Sequence, residues 1–564
     1  MKKYLIYILL ALFAGSLFIS CEGMLDEKNY GNPTVNDMMS KEENVILLVG
    51  QAYADIKWLH DHWGYWGVAS LTSDECVCPI RMPGEHWSDG SYWKNLNTHK
   101  WNEFADAFKN IWNTTVSGAV LCNKLIATLE ENESVMSPQI FKQYVGELEI
   151  LRSYYYYMLF DCFGRIPYLE EFEKKTEPLM EPNDVWSHLV ACLERNAPNL
   201  PVVTAANRAE NYGRVTQGFA YALLARLYLN AESFGCTPNN VNIEGITISS
   251  TADFYTNAIR CCDAVIDAGS YSIEENFFAN FLIENQESKE NIFVIVEDGN
   301  ADFDLRYNGS MANKLRLTML TLHYCHQTTW GMITKPWNGF CARPSFMKRY
   351  AGTDVRGPGN EGLGTKNTKQ WGWFIGGVYD AKGEKLLQDE NKDDAIVRVE
   401  IESLDQANWW DGARLLKYEV DKNKKYAYCE NDFVLFRYAD VLYMKEEAIL
   451  RGGTGVSGAQ TADFKKLQKR AFAYDANPED AYANAYPNAL TLDGLLDERG
   501  REFAWENLRR RDLIRYEKYN NPQYVEYITG TEEHRKWFPI PYSILEKSER
   551  DKNGDPIWTQ NPGY

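Results

Sequence analysis

At 564 residues the chain exceeds what one ordinary hydrophobic core accommodates, so two closely joined domains are expected. Hydrophobic residues make up 45% of it, which excludes wholesale disorder. The formal charge of −20 argues against nucleic acid, whose phosphates demand clustered Lys and Arg, and against adhesion to an anionic membrane surface.

The first residues point to export. Lys2 and Lys3 form a basic start, Tyr4 to Ile19 is almost wholly apolar, and Ser20 and Cys21 lead into the acidic, polar run Glu22 to Asn29. That is the layout of a secretory signal. The apolar stretch is shorter than the ~20 residues of a spanning helix, and Gly15 and Ser16 interrupt it. Phe18-Ile19-Ser20-Cys21 resembles the lipobox of bacterial lipoproteins, with Phe18 where Leu is commoner. The resemblance implies a signal peptide over 1–20 and lipidation of Cys21. Two or more acyl chains would anchor the protein stably, at ~0.8 kcal/mol per buried CH₂.

Farther along, Ile140, Tyr144, Leu148, Leu151, Tyr155, Met158, Leu159 and Cys162 recur at spacings of three and four. This predicts a helix with one face in a core, ended by Gly164 and Pro167. The Tyr154 to Tyr157 run belongs to that packing. A second helix is expected from about 216 to 234, closed by Gly235, with Ala220, Ala222, Ala225 and Ala231 allowing close approach. A third spans 254–268 before Gly269, and Phe293 to Val296 reads as a short buried strand. From about 298 to 430 periodicity is lost, Gly and Asn are frequent, and tryptophans are scattered. An ordered irregular stretch of that length is usually a functional surface. Within it Gly357-Pro358-Gly359-Asn360-Glu361-Gly362 has the letters of a dinucleotide fingerprint without its strand and helix, so it is read as a surface loop. A fourth helix is expected over 436–450, closed by Gly452-Gly453. Helix pairs with small residues at contacts suggest an irregular repeat scaffold. From Glu498 to Arg515 acids and arginines alternate at helical spacing, which predicts a structural ion network. Pro562-Gly563-Tyr564 is read as a docked turn.

Chemistry-bearing motifs are few. Of twelve cysteines, removing Cys21 leaves an odd number, and Cys122, Cys162 and Cys192 sit in apolar runs as small core residues. Cys76 with Cys78, and Cys261 with Cys262, lack zinc spacing. HExxH, GxSxG and GxxxxGK[ST] are all absent. His60 with His62, and His323 with His326, have no obvious third ligand nearby. No metal, no cofactor and no catalytic residue is expected.

Glu498-Arg499-Gly500-Arg501-Glu502-Phe503-Ala504-Trp505-Glu506-Asn507-Leu508-Arg509 runs into Arg511-Asp512-Leu513-Ile514-Arg515. Trp537-Phe538-Pro539-Ile540-Pro541 and Gln560-Asn561-Pro562-Gly563-Tyr564 follow. This set closely resembles the signature of the SusD/RagB family of outer-membrane lipoproteins. Upstream, Glu149 to Pro167, Tyr221 to Leu229 and Arg437 to Leu442 resemble family helices in the expected order. Each motif alone is weak; the ordered set is specific.

The resemblance implies a mainly α, SusD-like fold: an irregular tetratricopeptide-like helical repeat scaffold with long loops and a few short strands. It implies a helical region over 21–285 and a C-terminal region with ligand-binding loops over 286–564. It also implies a surface-exposed, lipid-anchored location at the cell outer membrane. There the protein would capture glycan and act as the lid of a SusC-like TonB-dependent transporter, without catalysis. Two alternatives stay open: binding of peptide or another nutrient, as in the RagB branch, and a tethered glycoside hydrolase. The segment from Ser73 to Trp101 resembles a ligand-proximal part of glycan-binding members, which implies a site of Asp74, Arg81, Trp87, Trp93, Trp101 and Asn102. Trp330, Trp337, Trp371 and Trp373 would complete it from the irregular region. Stacking on sugars requires flat apolar rings, because a pyranose face presents C–H groups and its rim is polar.

Overall fold

The computed structural model describes residues 34–82, 87–173, 177–241, 243–297, 317–358, 372–388, 392–422, 429–530 and 532–564. Cys21 and the signal-like segment lie outside these residues, as does most of the 357–362 loop. Among the described residues no helix is long and apolar enough to cross a membrane.

Helices dominate. After short N-terminal turns come α1 (Asp106–Glu131), α2 (Pro138–Phe163), α3 (Pro182–Asn196), α4 (Gln217–Leu229) and α5 (Thr251–Asp267). The second half adds α6 (Tyr438–Leu450), α7 (Leu492–Glu502) and α8 (Arg509–Arg515). Local chemistry sets their ends. Pro138 opens α2, the Thr216 hydroxyl accepts the Phe219 N–H at the start of α4, and Ser250 with Asp253 forms a capping box on α5. Gly164 and Gly269, both at positive φ, stop α2 and α5 as expected.

The helices pack as sequential pairs, α1 on α2, α2 on α3, α4 on α5, α5 on α6 and α6 on α7. At the α1–α2 contact a Cβ on Gly118 would lie 2.4 Å from the Tyr155 ring, so only glycine admits that approach. Tyr154 to Tyr157 are all buried, as the periodicity predicts. The main core draws on residues from Met38 to Ile540, from both sides of residue 285. Cys76, Cys78, Cys122, Cys162, Cys192, Cys261 and Cys262 are buried free thiols.

Strands are short: β1 (Arg81–Met82), β2 (Asn291–Ile295), β3 (Gly372–Phe374), β4 (Ala407–Asn408), β5 (Arg414–Leu416) and β6 (Phe433–Arg437). β1 pairs in parallel with β4; β2 with β6 and β3 with β5 are antiparallel. Two expectations change here. Phe436 and Arg437 belong to β6, and the helix starts at Tyr438. A short apolar run reads equally as buried strand or buried helix, and pairing with β2 decides it. The helical spacing over 498–515 also does not run as one helix. Trp505 and Asn507 adopt φ of 61° and 69° between α7 and α8. Tertiary bonds hold that break: the Trp505 N–H donates to Glu75 Oε2 at 3.0 Å, and the Trp66 indole donates to the Trp505 carbonyl at 3.0 Å.

The alternating charges form the expected buried network. Arg356 binds Asp354 at 2.7 Å, Glu498 at 2.9 Å and Glu502 at 3.0 Å. Arg437 binds Glu290 at 2.5 Å, Glu502 at 3.0 Å and Glu506 at 2.7 Å; Arg470 reaches Glu290 at 2.6 Å and Glu502 at 2.5 Å. Farther along, Arg499 joins Asp440 to Asp512, and Arg515 joins Asp512 to Glu447. Arg510 and Arg511 both bind Asp161 of α2.

Burial alone would raise the Glu502 and Asp512 pKa values, but the arginines outweigh it; Asp512 falls to about 2 and Glu502 is held well below the carboxylate range. Burial lowers His60, His99 and His326 to about 3. All these groups have folded pKa values below their unfolded ones, so they lend stability above the unfolded pKa that is lost as pH falls. Glu75, pushed up to about 8 by burial, acts oppositely: its contribution is present at low pH and fades as pH rises from about 4.5 to 8. The histidines and paired carboxylates outnumber it. Thermal unfolding of the mature chain is therefore expected to show Tm declining from about pH 6.5 downward, steeply below about pH 4. A flat Tm between pH 7 and 4 would contradict this.

Candidate functional site

Several chain segments meet at one face: Trp63 just before the short helix Tyr65–Leu71, β1, the short helix Tyr92–Asn97, the stretch 337–341 and the turn after β4. The Arg81 side chain, 1% exposed, ties them together. Its Nε donates to the Asn338 carbonyl at 2.9 Å. Nη1 donates to the Asn408 carbonyl at 2.9 Å and to that of Asp411 at 2.7 Å. Nη2 reaches the Gly339 carbonyl at 3.3 Å. Only a guanidinium offers enough divergent N–H groups for this clamp. The Asn338 amide reinforces it by donating to the Trp409 carbonyl at 3.0 Å.

Over the clamp lies a band of aromatic rings. Trp63 meets Tyr92 at 4.9 Å and Trp93 at 4.5 Å between ring centroids. Trp87 meets Trp93 at 5.6 Å and Trp337 at 5.3 Å. Trp93 and Phe340 are the buried floor, whereas Trp63, Trp87, Tyr92 and Trp337 are half-buried. Trp409, also half-buried, borders the same region through the second apolar cluster, which Trp337 touches too. Gly339 fits this packing, since a Cβ there would lie 2.3 Å from the Trp87 ring.

The expected site residues therefore divide. Trp87 and Trp337 share the band. Trp93 lies beneath it, its indole donating to Asp89 at 2.8 Å. Asp74 is buried between Arg509, at 2.7 and 2.8 Å, and Arg349, at 2.7 Å. Trp101 is buried against Phe538 and His99, and its indole donates to the Tyr564 hydroxyl at 2.9 Å, so the C-terminal residues dock there. Trp373 is buried edge-on to Trp505. Burial leaves Asp74, Arg81, Trp93, Trp101 and Trp373 a supporting role. Asn102 is exposed and accepts the Phe104 N–H at 3.1 Å, forming a turn. Trp330 is half-buried against His326 in the second cluster. Trp371 lies outside the described residues. Sequence reasoning missed Trp63, Tyr92 and Trp409 as surface rings. Their only signal was local aromatic density, as in His62-Trp63-Gly64-Tyr65-Trp66.

Residues 334–564 match the model of the SusD family, and residues 81–229 match the one described as starch-binding associating with outer membrane. Over these two segments the chain is similar to the SusD/RagB family. Among curated proteins it is similar to the starch-binding protein SusD of Bacteroides thetaiotaomicron, 23% identical over 472 residues, or 77% of this chain and 75% of that protein. Its fold is similar to surface glycan-binding protein A from Bacteroides fluxus, with a TM-score of 0.68, 20% identity, and coverage of 93% of this chain and 100% of that one. Surface glycan-binding protein A from Bacteroides thetaiotaomicron, in complex with laminarihexaose, gives a TM-score of 0.66 at 19% identity, covering 92% of this chain and 99% of that one. The mainly helical, SusD-like architecture with few short strands is the fold these share.

Arg81→Met leaves several buried carbonyls without a donor, each worth about 1–3 kcal/mol before relaxation. The expected result is a chain destabilised by roughly 3 kcal/mol or more, with an altered near-ultraviolet circular dichroism spectrum as Trp87 and Trp337 lose their frame. Stability and spectrum both like the parent's would remove Arg81 from this role.

Proposed function

We propose that the protein is a surface-exposed outer-membrane lipoprotein that binds oligosaccharide or polysaccharide on the Trp63–Tyr92–Trp87–Trp337 band. It passes the glycan to a SusC-like TonB-dependent transporter, whose lid it forms. The observation that carries this reading is the run of half-exposed rings held on a rigid clamp. Such rings stack on the C–H faces of sugar units, while neighbouring polar groups bind hydroxyls. The two family-model matches and the glycan-binding names of its relatives support the reading. Tethering through a lipid on Cys21 rests on the lipobox-like segment.

The binding reading is tested with the soluble mature chain, first on a glycan array and then on an affinity gel of the best ligand. Trp87→Ala and Trp337→Ala, each checked for folding, are expected to weaken retention by roughly 1–3 kcal/mol, the scale of truncated anchor residues. Folded variants that both bind like the parent would end the assignment.

Anchoring and partnership have their own test. Cys21→Ala is expected to move the chain out of the membrane fraction, and the detergent-solubilised parent is expected to bring down a large β-barrel protein. An unmoved variant contradicts the anchor. Repeated recovery of the parent alone contradicts the lid.

A further inference from the structure

Beneath the aromatic band a second arginine breaks the rule that buried charges are paired. Arg414, on β5, is 0% exposed. Its Nη2 donates to the Trp409 carbonyl at 3.1 Å, but its Nε and Nη1 have no hydrogen-bond partner. Burial and the neighbouring Arg81 charge lower its pKa to about 9, so it remains a cation at neutral pH. Asp411 is the carboxylate that acts on it, and that group already accepts the Asn408 N–H at 2.8 Å and lies 3.9 Å from Arg398. Among the described residues neither Arg81 nor Arg414 has a carboxylate within ion-pair distance, so two buried positive charges stand together.

Two further unpartnered groups, His326 Nε2 and the Trp410 indole, share the donor character of Arg414 Nε and Nη1. Arg414 stands directly opposite Phe374 in the β3–β5 pair, so their side chains share a face. The Phe374 ring meets His326 at 5.2 Å. His326 is buried and neutral, and its Nδ1 accepts the His323 N–H at 3.0 Å, so its proton is on Nε2, which has no partner. The buried Trp410 indole N–H is also unpartnered, and its ring stacks on His323 at 3.8 Å. These are all donors. Water would bring hydrogens of its own to such a place; an anion accepts from every one of them and offsets the buried positive charge.

We propose that Arg414, with the Trp410 indole and His326 Nε2, forms a buried binding site for a small monovalent anion of the halide type. The site steadies the turn that carries Trp409, because Arg414 holds that backbone and the anion holds Arg414. It does not depend on the glycan reading.

The probe is bromide. Crystals of the mature chain grown in sodium bromide are expected to show an anomalous peak within hydrogen-bonding distance of Arg414 Nε or Nη1. In solution, Tm is expected to rise by about 2 °C when sodium gluconate is replaced by sodium bromide or chloride at equal ionic strength. Arg414→Gln removes the dependence. If that variant does not fold, Trp410→Phe, which keeps the ring and deletes the N–H, carries the test and raises the half-saturating bromide concentration about tenfold. A water or no peak at Arg414, or equal Tm in all three salts, overturns the proposal.

Discussion

The Glu502 carboxylate accepts from Arg356, Arg437 and Arg470 at once, and the rest of the molecule is arranged around that buried junction. Each arginine comes from a different part of the chain, so the junction fixes the 354–356 turn, β6 and the helix Ala462–Ala471 against α7. Buried pairs of this kind add little net stability over a hydrophobic equivalent, yet removing one partner costs about 3–5 kcal/mol, because the other charge is left unpaired. Their contribution is to position. Helices with small contact residues could slide against one another; interlocked guanidinium forks cannot.

The network also reaches the face that carries the aromatic band. Asp74 joins Arg509 of α8 to Arg349. Its neighbour Glu75 holds the left-handed Trp505, which receives the Trp66 indole, and Trp66 packs on Phe340 at 5.5 Å. Phe340 in turn lies 5.1 Å from Trp87. Arg343 adds a second tie by donating to the Leu71 and Asn97 carbonyls, at the ends of the two short helices that flank the band. A surface for stacking needs rings that do not reorient, and these connections supply that rigidity.

Much of the scaffold was legible because its signals are local. Helix periodicity, Gly164 and Gly269, and the acid–arginine alternation of α7 and α8 carry their meaning within a few residues. The start of α6 and the break at Trp505 were not legible, since a partner strand and a side chain some 430 positions away decide them. The aromatic band was half legible for the same reason. Trp87 and Trp337 do meet in the aromatic band, but sequence alone does not separate Trp87, which is half-buried, from Trp93, which is buried beneath it. Asp74 and Arg81 looked like sugar-binding groups because Asp and Arg serve that purpose elsewhere. Here their atoms are spent on arginines and on backbone carbonyls.

The central claim is that a clamped band of half-exposed rings is the ligand surface. The most direct measurement is a crystal structure of the mature chain with an oligosaccharide that it retains. The account predicts a sugar ring lying face-on against Trp87 or Trp337, at van der Waals distance, with the Arg81 bonds to Asn338 and Asn408 unchanged. A sugar bound elsewhere, with both of those rings bare, would contradict it.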